Sequence, residues 1–279
     1  MRIIEAARIT DAVKRLCIRA NRELPEDVRE CLRSRREAEP WPLARDTLDK
    51  IISNFELASS RQAPICQDTG MACVFLEIGE DVHVAGGLYA AVDEGVRQGY
   101  REGYLRKSVV ADPLNRVNTG DNTPAMVYLD VVRGDRLGIT VAPKGFGSEN
   151  MSQIRMLRPS DGEAGVVDFV VSVVEAAGSN PCPPIVVGVG VGGTFDKAAL
   201  LAKKALLRPI GKRNRTARYR DLEQKLLARI NALGIGPQGF GGAATALSVA
   251  VEAMPTHIAG LPCAVNINCH VARHAGEEL

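Results

Sequence analysis

The sequence predicts a mixed α/β chain, in which a helical N-terminal portion over residues 1–60 precedes a mixed-sheet domain over residues 61–279. Apolar residues recur at helical spacing through most of the first 60 positions, as in amphipathic helices. Later segments contain short runs rich in valine and isoleucine that end at glycine, proline or asparagine, which is typical of buried strands. The 279 residues are 46% hydrophobic and 24% charged, the composition of a folded globular protein.

The N-terminal portion is predicted to contain three helices. From Ile9 to Ala20 the apolar residues follow the i, i+3, i+4, i+7 pattern of a helix with one buried face. Pro25 precedes two acidic residues and predicts the start of a second helix, because acids stabilise the positive end of the helix dipole. The segment 39–42 interrupts the pattern, and a third helix is predicted from about Leu43 to Ala58.

The domain over residues 61–279 is predicted to alternate strands and helices. In chain order these are a strand at 71–78, a helix at 87–103, strands at 125–132 and 137–142, a helix at 165–177, a strand at 185–191 and a helix at 194–207 capped by Thr194. The turn residues Arg133, Gly134, Asp135 and Arg136 separate two of the strands, so these strands are predicted to form a hairpin.

Charge and hydropathy argue against two classes of partner. The formal net charge is only +2, from 35 basic and 33 acidic residues, and gives no concentrated basic face for nucleic acid. The charge-free stretch 232–251 contains five glycines and a proline, so it does not predict a membrane span. The N-terminus carries acids and lacks the apolar core of a signal peptide. We therefore expect a cytoplasmic protein, in whose reducing compartment disulfides are disfavoured.

The seven cysteines fall into two groups. Four lie on predicted helical faces or in apolar runs, where core packing is expected: Cys17, Cys31, Cys73 and Cys263. Three lie in short segments punctuated by proline, glycine, asparagine or aspartate: Cys66, Cys182 and Cys269. The absence of any C-x-x-C pair argues against a structural zinc site. Two interpretations remain for the second group: three unrelated buried thiols, or three thiolates that hold one iron–sulfur cluster and leave one iron without a protein ligand.

A glycine-rich run at 188–193 follows a predicted strand and precedes a predicted helix, as in dinucleotide-binding proteins. That interpretation requires an acidic residue about twenty positions later. Residues 205–216 contain no aspartate or glutamate, so nucleotide binding is disfavoured. We expect instead that the glycines allow close backbone packing against the loop that carries Cys182.

Other polar residues are candidates for binding an acidic substrate. Arg106 and Lys107 follow a helix bounded by glycines, and the segment 144–150 offers a lysine, backbone amides and polar side chains in one loop. His257 is one of only four histidines. The alternative for each cation is a solvated surface charge. For His257 the alternative is an imidazole whose hydrogen bonds are made within a loop or the core.

Several long segments together resemble a known family. They are PICQDTG at 64–70, VVADPLNRVNTGDNTPA at 109–125, PKGFGSENMSQIRMLRPSDG at 143–162, NPCPPIVVGVGVGGTFDKAALLAKKALLRPIG at 180–211, LGIGPQGFGG at 233–242 and THIAGLPCAVNINCH at 256–270. From about residue 40 onwards the chain is similar to the α subunit, or N-terminal domain, of the iron–sulfur (class I) fumarate hydratases and their tartrate dehydratase relatives.

The resemblance implies a [4Fe-4S] cluster and a set of site residues. Its three ligands would be Cys66, Cys182 and Cys269, and the catalytic residues His257 and Asp68. Substrate contacts would be made by Gln67, Asp68, Arg106, Gly145, Gly147 and His257. Phe146 departs from the family pattern, because the single-chain enzymes have glycine at this position of the loop.

The resemblance also implies the reaction and a partner. We expect reversible hydration of fumarate to (S)-malate, with tartrate dehydration as the alternative; the K-G-x-G-S-E-N loop and the His257 segment favour fumarate. The single-chain relatives continue into a second domain beyond the third cysteine, so a separate β subunit is expected to supply the base, in an α2β2-type hetero-oligomer. A non-catalytic iron–sulfur sensor is a further alternative, and it would need neither Arg106 nor His257.

Overall fold

The computed structural model describes all 279 residues and confirms a mixed α/β fold. The chain divides into two compact units. Unit 1 consists of Met1–Pro25, Asn54–Phe146 and Arg273–Leu279, and unit 2 consists of Glu26–Ser53 and Gly147–Ala272. Each unit has its own sheet and its own hydrophobic core. No helix combines the length and the apolar character needed to cross a membrane.

Unit 1 is built on a four-stranded sheet with the strand order β10-β5-β2-β4. Its elements are β1 (Arg2–Glu5), α1 (Ala6–Arg22), the end of α3 (Pro42–Arg61), β2 (Met71–Gly79), β3 (Val82–Ala85), α4 (Leu88–Glu102), β4 (Met126–Val132), β5 (Leu137–Lys144) and β10 (Ala275–Glu278). Helix α1 buries the apolar stripe predicted from Ile9 to Ala20, and its residues share one core with α4 and the sheet. The short strands β1 and β3 form a separate parallel pair.

The predicted hairpin between β4 and β5 is wrong, although both strands exist. Strand β2 lies between them and pairs parallel with β4 and antiparallel with β5. The segment that joins β4 to β5 instead bonds with the end of β2 and the turn after it: Gly79 N–H donates to the Arg136 carbonyl at 2.8 Å, and Asp81 N–H donates to the Gly134 carbonyl at 3.0 Å. Five consecutive residues of β2 are buried, so this strand takes a central position in the sheet.

Unit 2 is built on a second four-stranded sheet with the strand order β6-β9-β7-β8. Its elements are α2 (Glu26–Ala38), the start of α3, most of the one-turn helix α5 (Phe146–Glu149), β6 (Gln153–Leu157), α6 (Gly162–Ala177), β7 (Ile185–Gly193), α7 (Phe195–Ala205), α8 (Ala217–Asn231), β8 (Ala246–Thr256) and β9 (Leu261–Asn268). The helices expected within residues 1–60 are present as α1, α2 and α3. The division of the chain at residue 60 stays a prediction.

Strand β7, one of the two inner strands of the unit 2 sheet, presents different residues to the two faces of the sheet. Ile185, Val187 and Val189 belong to the core that includes α6 and α8. Gly188 and Gly190 face α7: a Cβ at Gly190 would lie 2.0 Å from the Ala198 carbonyl oxygen. The glycine run is therefore explained by close approach of a helix, and the expected packing against the Cys182 loop is wrong.

Helix α7 begins as predicted after Thr194, but that residue does not cap it with its side chain. The Thr194 hydroxyl donates a hydrogen bond of 2.6 Å to the Asp196 carboxylate instead. Asp196 lies in the first turn, where a negative charge interacts favourably with the helix dipole.

Candidate functional site

In unit 1, the segment Cys66–Gly70 forms a loop that leads from α3 into β2. The residue before the loop, Ile65, donates its N–H to the Asn21 carbonyl and accepts the Asn54 amide at its own carbonyl, both at 2.9 Å. Cys66 and Asp68 are half-buried, and Gln67 is exposed. The segment lies outside helices and strands, as its aspartate and glycine indicate.

The Asp68 carboxylate ties this loop to the segment that follows β5. One oxygen, Oδ1, accepts the Gly70 N–H at 3.0 Å, and Oδ2 accepts the Phe146 N–H at 3.0 Å. Gly145 lies beside the same carboxylate, and a Cβ there would be 3.1 Å from Oδ2. Unit 1 therefore brings together Asp68 and Gly145, two of the predicted substrate-binding residues.

Buried polar side chains support the loop from within unit 1. The Tyr100 hydroxyl lies 2.8 Å from the Thr69 carbonyl oxygen and 2.9 Å from the Gly70 carbonyl oxygen. Asn122, fully buried, donates its amide to the same Gly70 carbonyl at 3.2 Å. Gly70 itself has a φ of +76°, and a Cβ there would lie 2.7 Å from the Lys144 backbone, so only glycine fits this position.

Arg106 is connected to this loop through its backbone. The Thr69 hydroxyl donates to the Arg106 carbonyl at 3.0 Å, and Ser108 N–H donates to the Asn122 side-chain oxygen at 2.7 Å. The Arg106 side chain is exposed and pairs with no carboxylate of the chain. Its guanidinium is therefore available to a carboxylate of a ligand.

The segment that carries Asn122 is anchored by an ion pair. Arg97 Nε lies 3.0 Å from Asp121 Oδ2, while the Thr123 N–H and hydroxyl donate to Oδ1 at 3.0 and 2.8 Å. Partial burial raises the pKa of Asp121, but the bonds from Thr123 and Arg97 outweigh it and lower that pKa to about 2. Asp121 is therefore charged at neutral pH and holds the turn before Asn122 in place.

In unit 2, Cys182 and Cys269 lie in loops that contact each other through His270. Cys182 is exposed and has a φ of +54°, a conformation that is uncommon outside glycine. Its carbonyl oxygen accepts the His270 N–H at 3.3 Å and lies 3.0 Å from His270 Nδ1. Cys269 directly follows β9 and is half-buried. Two of the three predicted cluster ligands are thus held close together by backbone contacts.

Gln238 adds a second link between these loops. Its backbone N–H and its side-chain amide donate to the Pro183 carbonyl at 2.8 and 2.9 Å, and Nε2 lies 3.2 Å from His270 Nδ1. Gln238 belongs to a 3₁₀ turn over Pro237–Gly239. The glycine-rich segment 233–242 therefore supports the loops of Cys182 and Cys269.

The segment 147–153 also approaches these loops within unit 2. A Cβ at Gly147 would lie 3.7 Å from the carbonyl oxygen of Asn180, two residues before Cys182. Glu149 Oε1 pairs with the Lys203 ammonium at 2.6 Å, and Oε2 accepts the Asn266 amide at 2.8 Å. Asn266 is near the end of β9, so this network reaches the strand that leads into Cys269.

His257 lies in the turn between β8 and β9 and is exposed. Its Nδ1 accepts the Ala259 N–H at 3.2 Å, and its carbonyl accepts the Gly260 N–H at 3.0 Å. Because Nδ1 is an acceptor, the neutral imidazole carries its proton on Nε2. His257 therefore presents a hydrogen-bond donor on an exposed turn.

Burial separates the two groups of cysteines. Cys17, Cys73 and Cys263 are buried, and burial raises the pKa of the Cys17 and Cys263 thiols to about 12. Core packing is confirmed for these three, and Cys31 is half-buried. Since the thiolate is the form that binds iron, Cys17 and Cys263 are poor ligands. No group of three or more His, Cys, Asp or Glu side chains is arranged to hold a metal ion, so ligation by Cys66, Cys182 and Cys269 stays a prediction.

The predicted site residues are distributed over both units. Unit 1 contains Cys66, Gln67, Asp68, Arg106 and Gly145, and unit 2 contains Gly147, Cys182, His257 and Cys269. Sequence reasoning missed the side chains that support the loops: Tyr100, Asn122, Gln238, His270 and Arg273. Three of these lie inside the quoted segments 109–125, 233–242 and 256–270, but nothing in their spacing indicated which carbonyl each would contact.

The chain is similar to known proteins over nearly its whole length. The sequence model of the family described as fumarate hydratase (Fumerase) matches residues 10–278. A relative from Methanocaldococcus jannaschii, provisionally named L(+)-tartrate dehydratase subunit alpha, is 43% identical over 275 residues, which cover 96% of each chain. Proteins named L(+)-tartrate dehydratase subunit alpha from Escherichia coli strains UTI89 and K12 are 32% and 31% identical over 270 residues, 95% of this chain and 89% of theirs.

Proposed function

Because this chain belongs to the iron–sulfur fumarate hydratase family of hydro-lyases, we propose that it is the α subunit of an L(+)-tartrate dehydratase. The assignment of tartrate as the substrate rests on the names of the relatives, which match 95–96% of this chain. The motifs had favoured fumarate, with tartrate as the alternative, and the comparisons support the alternative better. Fumarate is the second candidate, favoured by the family description and by the segments around Gly145 and His257.

Dehydration of tartrate requires a proton to leave one carbon and hydroxide to leave its neighbour. The proton passes to a base, the hydroxide takes up a proton to become water, and the remaining enol rearranges to a 2-oxo dicarboxylate. Negative charge develops on the carbon next to a carboxylate and spreads into that carboxylate. A cation bound to the carboxylate therefore stabilises the transition state more than the ground state.

Several residues of the chain are suited to bind the two carboxylates and the two hydroxyls of tartrate. The exposed Arg106 guanidinium pairs with no carboxylate of the chain, which supports a bidentate contact with a substrate carboxylate. The exposed Gln67 amide would supply a neutral donor, and the Gly145 and Gly147 backbone is proposed to contact the substrate as well. His257 would donate a hydrogen bond from Nε2, because its Nδ1 is occupied by the Ala259 N–H.

Asp68 is proposed to position the substrate-binding loop. Both of its carboxylate oxygens already accept a backbone N–H, from Gly70 and Phe146. Two hydrogen bonds from different segments to one side chain hold the loop in place. These bonds support a positioning role better than a role as the abstracting base.

The cofactor proposed for this chain is a [4Fe-4S] cluster bound by Cys66, Cys182 and Cys269. All three lie outside helices and strands, and none is fully buried, which supports them as thiolate donors. With three cysteine ligands, a bound cluster would keep one iron without a protein ligand, and this iron would supply a Lewis acid for the leaving hydroxyl. The close contact of the Cys182 and Cys269 loops through His270 supports these two as a pair.

A β subunit is proposed as the partner, in an α2β2-type hetero-oligomer. The relatives are named as alpha subunits, which supports a partner of a different sequence. Since Asp68 is occupied by two N–H donors, and no other base is apparent at its loop, the β subunit would supply the group that abstracts the proton.

The test is a substrate comparison with the cognate β subunit under anaerobic conditions. The reconstituted complex should dehydrate L(+)-tartrate with a higher kcat/KM than (S)-malate, which lacks one hydroxyl; the factor can reach about 10⁴ in a site built around that hydroxyl. The α chain alone should show no turnover of either acid.

A preference for malate would support fumarate hydratase and refute tartrate. A complex with full cluster content that dehydrates neither acid would refute both candidates and support the sensor alternative.

A further inference from the structure

Arg273 is a buried arginine in unit 1 that the proposed reaction does not use. It is 4% exposed and lies four residues after Cys269 in the sequence. Its Nη2 donates a hydrogen bond to the backbone carbonyl of Asp68. Its Nε and Nη1 are buried and have no hydrogen-bond partner within the chain. Burying a guanidinium with two unpartnered N–H groups is unfavourable, so fold stability alone does not account for this residue.

Arg273 belongs to a set of buried side chains that hold consecutive carbonyls of one loop. Arg273 bonds the Asp68 carbonyl, the Tyr100 hydroxyl lies within hydrogen-bond distance of the next two, and Asn122 donates to that of Gly70. Burial raises the pKa of Tyr100, and the charge of Arg273 opposes that rise, which indicates that the two side chains are close. Buried side chains thus contact three successive carbonyl groups of the loop, those of residues 68, 69 and 70.

We propose that Arg273 is a positioning residue, which acts through the Asp68 carbonyl to fix the loop of Cys66, Gln67 and Asp68. The role of this loop in substrate and cluster binding rests on the proposed function. Arg273 does not touch the substrate, and its loss is expected to displace the groups that do. A displacement of about 1 Å at such groups can lower activity by about a hundredfold.

The first measurement is hydrogen–deuterium exchange of the full chain, which needs no activity. Arg273→Met should exchange faster than wild type at residues 66–70, while the exchange of β2 stays unchanged. The matched control is Arg19→Met: Arg19 also donates to a backbone carbonyl in unit 1, that of Gly276 at 2.9 Å, but is exposed. Arg19→Met should leave residues 66–70 unchanged.

The second measurement is kinetics of the complex with the β subunit and a reconstituted cluster. Arg273→Met should lower kcat by about 10- to 100-fold with a smaller change in KM, as is typical of residues that hold ligand-binding groups in place. Arg273→Lys should recover part of kcat, because an ammonium can still donate to the Asp68 carbonyl. A rise in KM with unchanged kcat would instead place Arg273 in direct contact with substrate and overturn the proposal.

Unchanged exchange at residues 66–70 together with wild-type kcat in Arg273→Met would also overturn it. If Arg273→Met does not fold, Arg273→Lys decides: faster exchange confined to residues 66–70 supports positioning, and loss of protection throughout unit 1 shows a role in the fold alone. If the wild-type complex dehydrates no dicarboxylate, the proposed function fails, while the exchange measurement still decides the role of Arg273.

Discussion

Replacing Asp68 by asparagine tests the hydrogen bonds that join two loops of unit 1. The two carboxylate oxygens accept different N–H groups, Oδ1 that of Gly70 and Oδ2 that of Phe146, both at 3.0 Å. A carboxamide has one accepting oxygen, and its NH₂ group would face the other N–H. Asp68→Asn therefore removes one hydrogen bond and places the new NH₂ group opposite a backbone N–H, so that two donors face each other.

The expected loss of stability follows from these contacts. A hydrogen bond to a charged group contributes about 1.5–3 kcal/mol, and Asp68 is half-buried, so we expect a loss toward the lower end of this range. Urea denaturation of the chain without cluster, followed by circular dichroism, would measure it as a lower midpoint with an unchanged m value.

Asp112→Asn is the matched control. Asp112 is exposed and accepts the Leu114 and Asn115 N–H groups, at 2.9 and 2.6 Å, through the same oxygen, Oδ1. A carboxamide can keep both bonds, so this variant should change the midpoint little. The reasoning would be refuted if Asp68→Asn were as stable as wild type, or if Asp112→Asn lost as much stability as Asp68→Asn.

Three further predictions concern the cluster, the substrate and the core. Cys182→Ser should abolish binding of a four-iron cluster on anaerobic reconstitution, measured as iron and sulfide per chain, whereas Cys17→Ser should retain the cluster. Retention of the cluster by both variants would refute Cys182 as a ligand. Arg106→Ala should lower kcat/KM of the complex by about 10- to 100-fold, the equivalent of one charged hydrogen bond, without changing the unfolding midpoint; wild-type kinetics would show that Arg106 is only a surface charge. Gly190→Ala should lower the free energy of unfolding by about 3 kcal/mol, because its Cβ would lie 2.0 Å from a carbonyl oxygen of α7. The control Gly138→Ala, whose Cβ would have its nearest neighbour at 3.6 Å, should lower it far less. Equal unfolding midpoints for the two variants would contradict the close packing of α7 on Gly190.

Elements with a strong local pattern were predictable from the sequence. The stripe from Ile9 to Ala20 became the buried face of α1, and the run from Met71 to Ile78 became β2. The three cysteines in segments rich in proline, glycine and asparagine all lie outside helices and strands. These features are local, since periodicity and turn chemistry act over a few residues and do not depend on which segment lies opposite.

The sequence by itself thus determined the α/β class, the helices and strands with the strongest local pattern, and the family to which the chain belongs. Only the tertiary structure decided which segments are neighbours. It placed β2 between β4 and β5, where a hairpin had been predicted, and it set α7 against the glycines of β7. It also brought Arg273 to the Asp68 carbonyl, although 204 residues of sequence separate the two. Such contacts depend on which buried surfaces and backbone groups satisfy one another across the whole unit, and no short stretch of sequence contains that information.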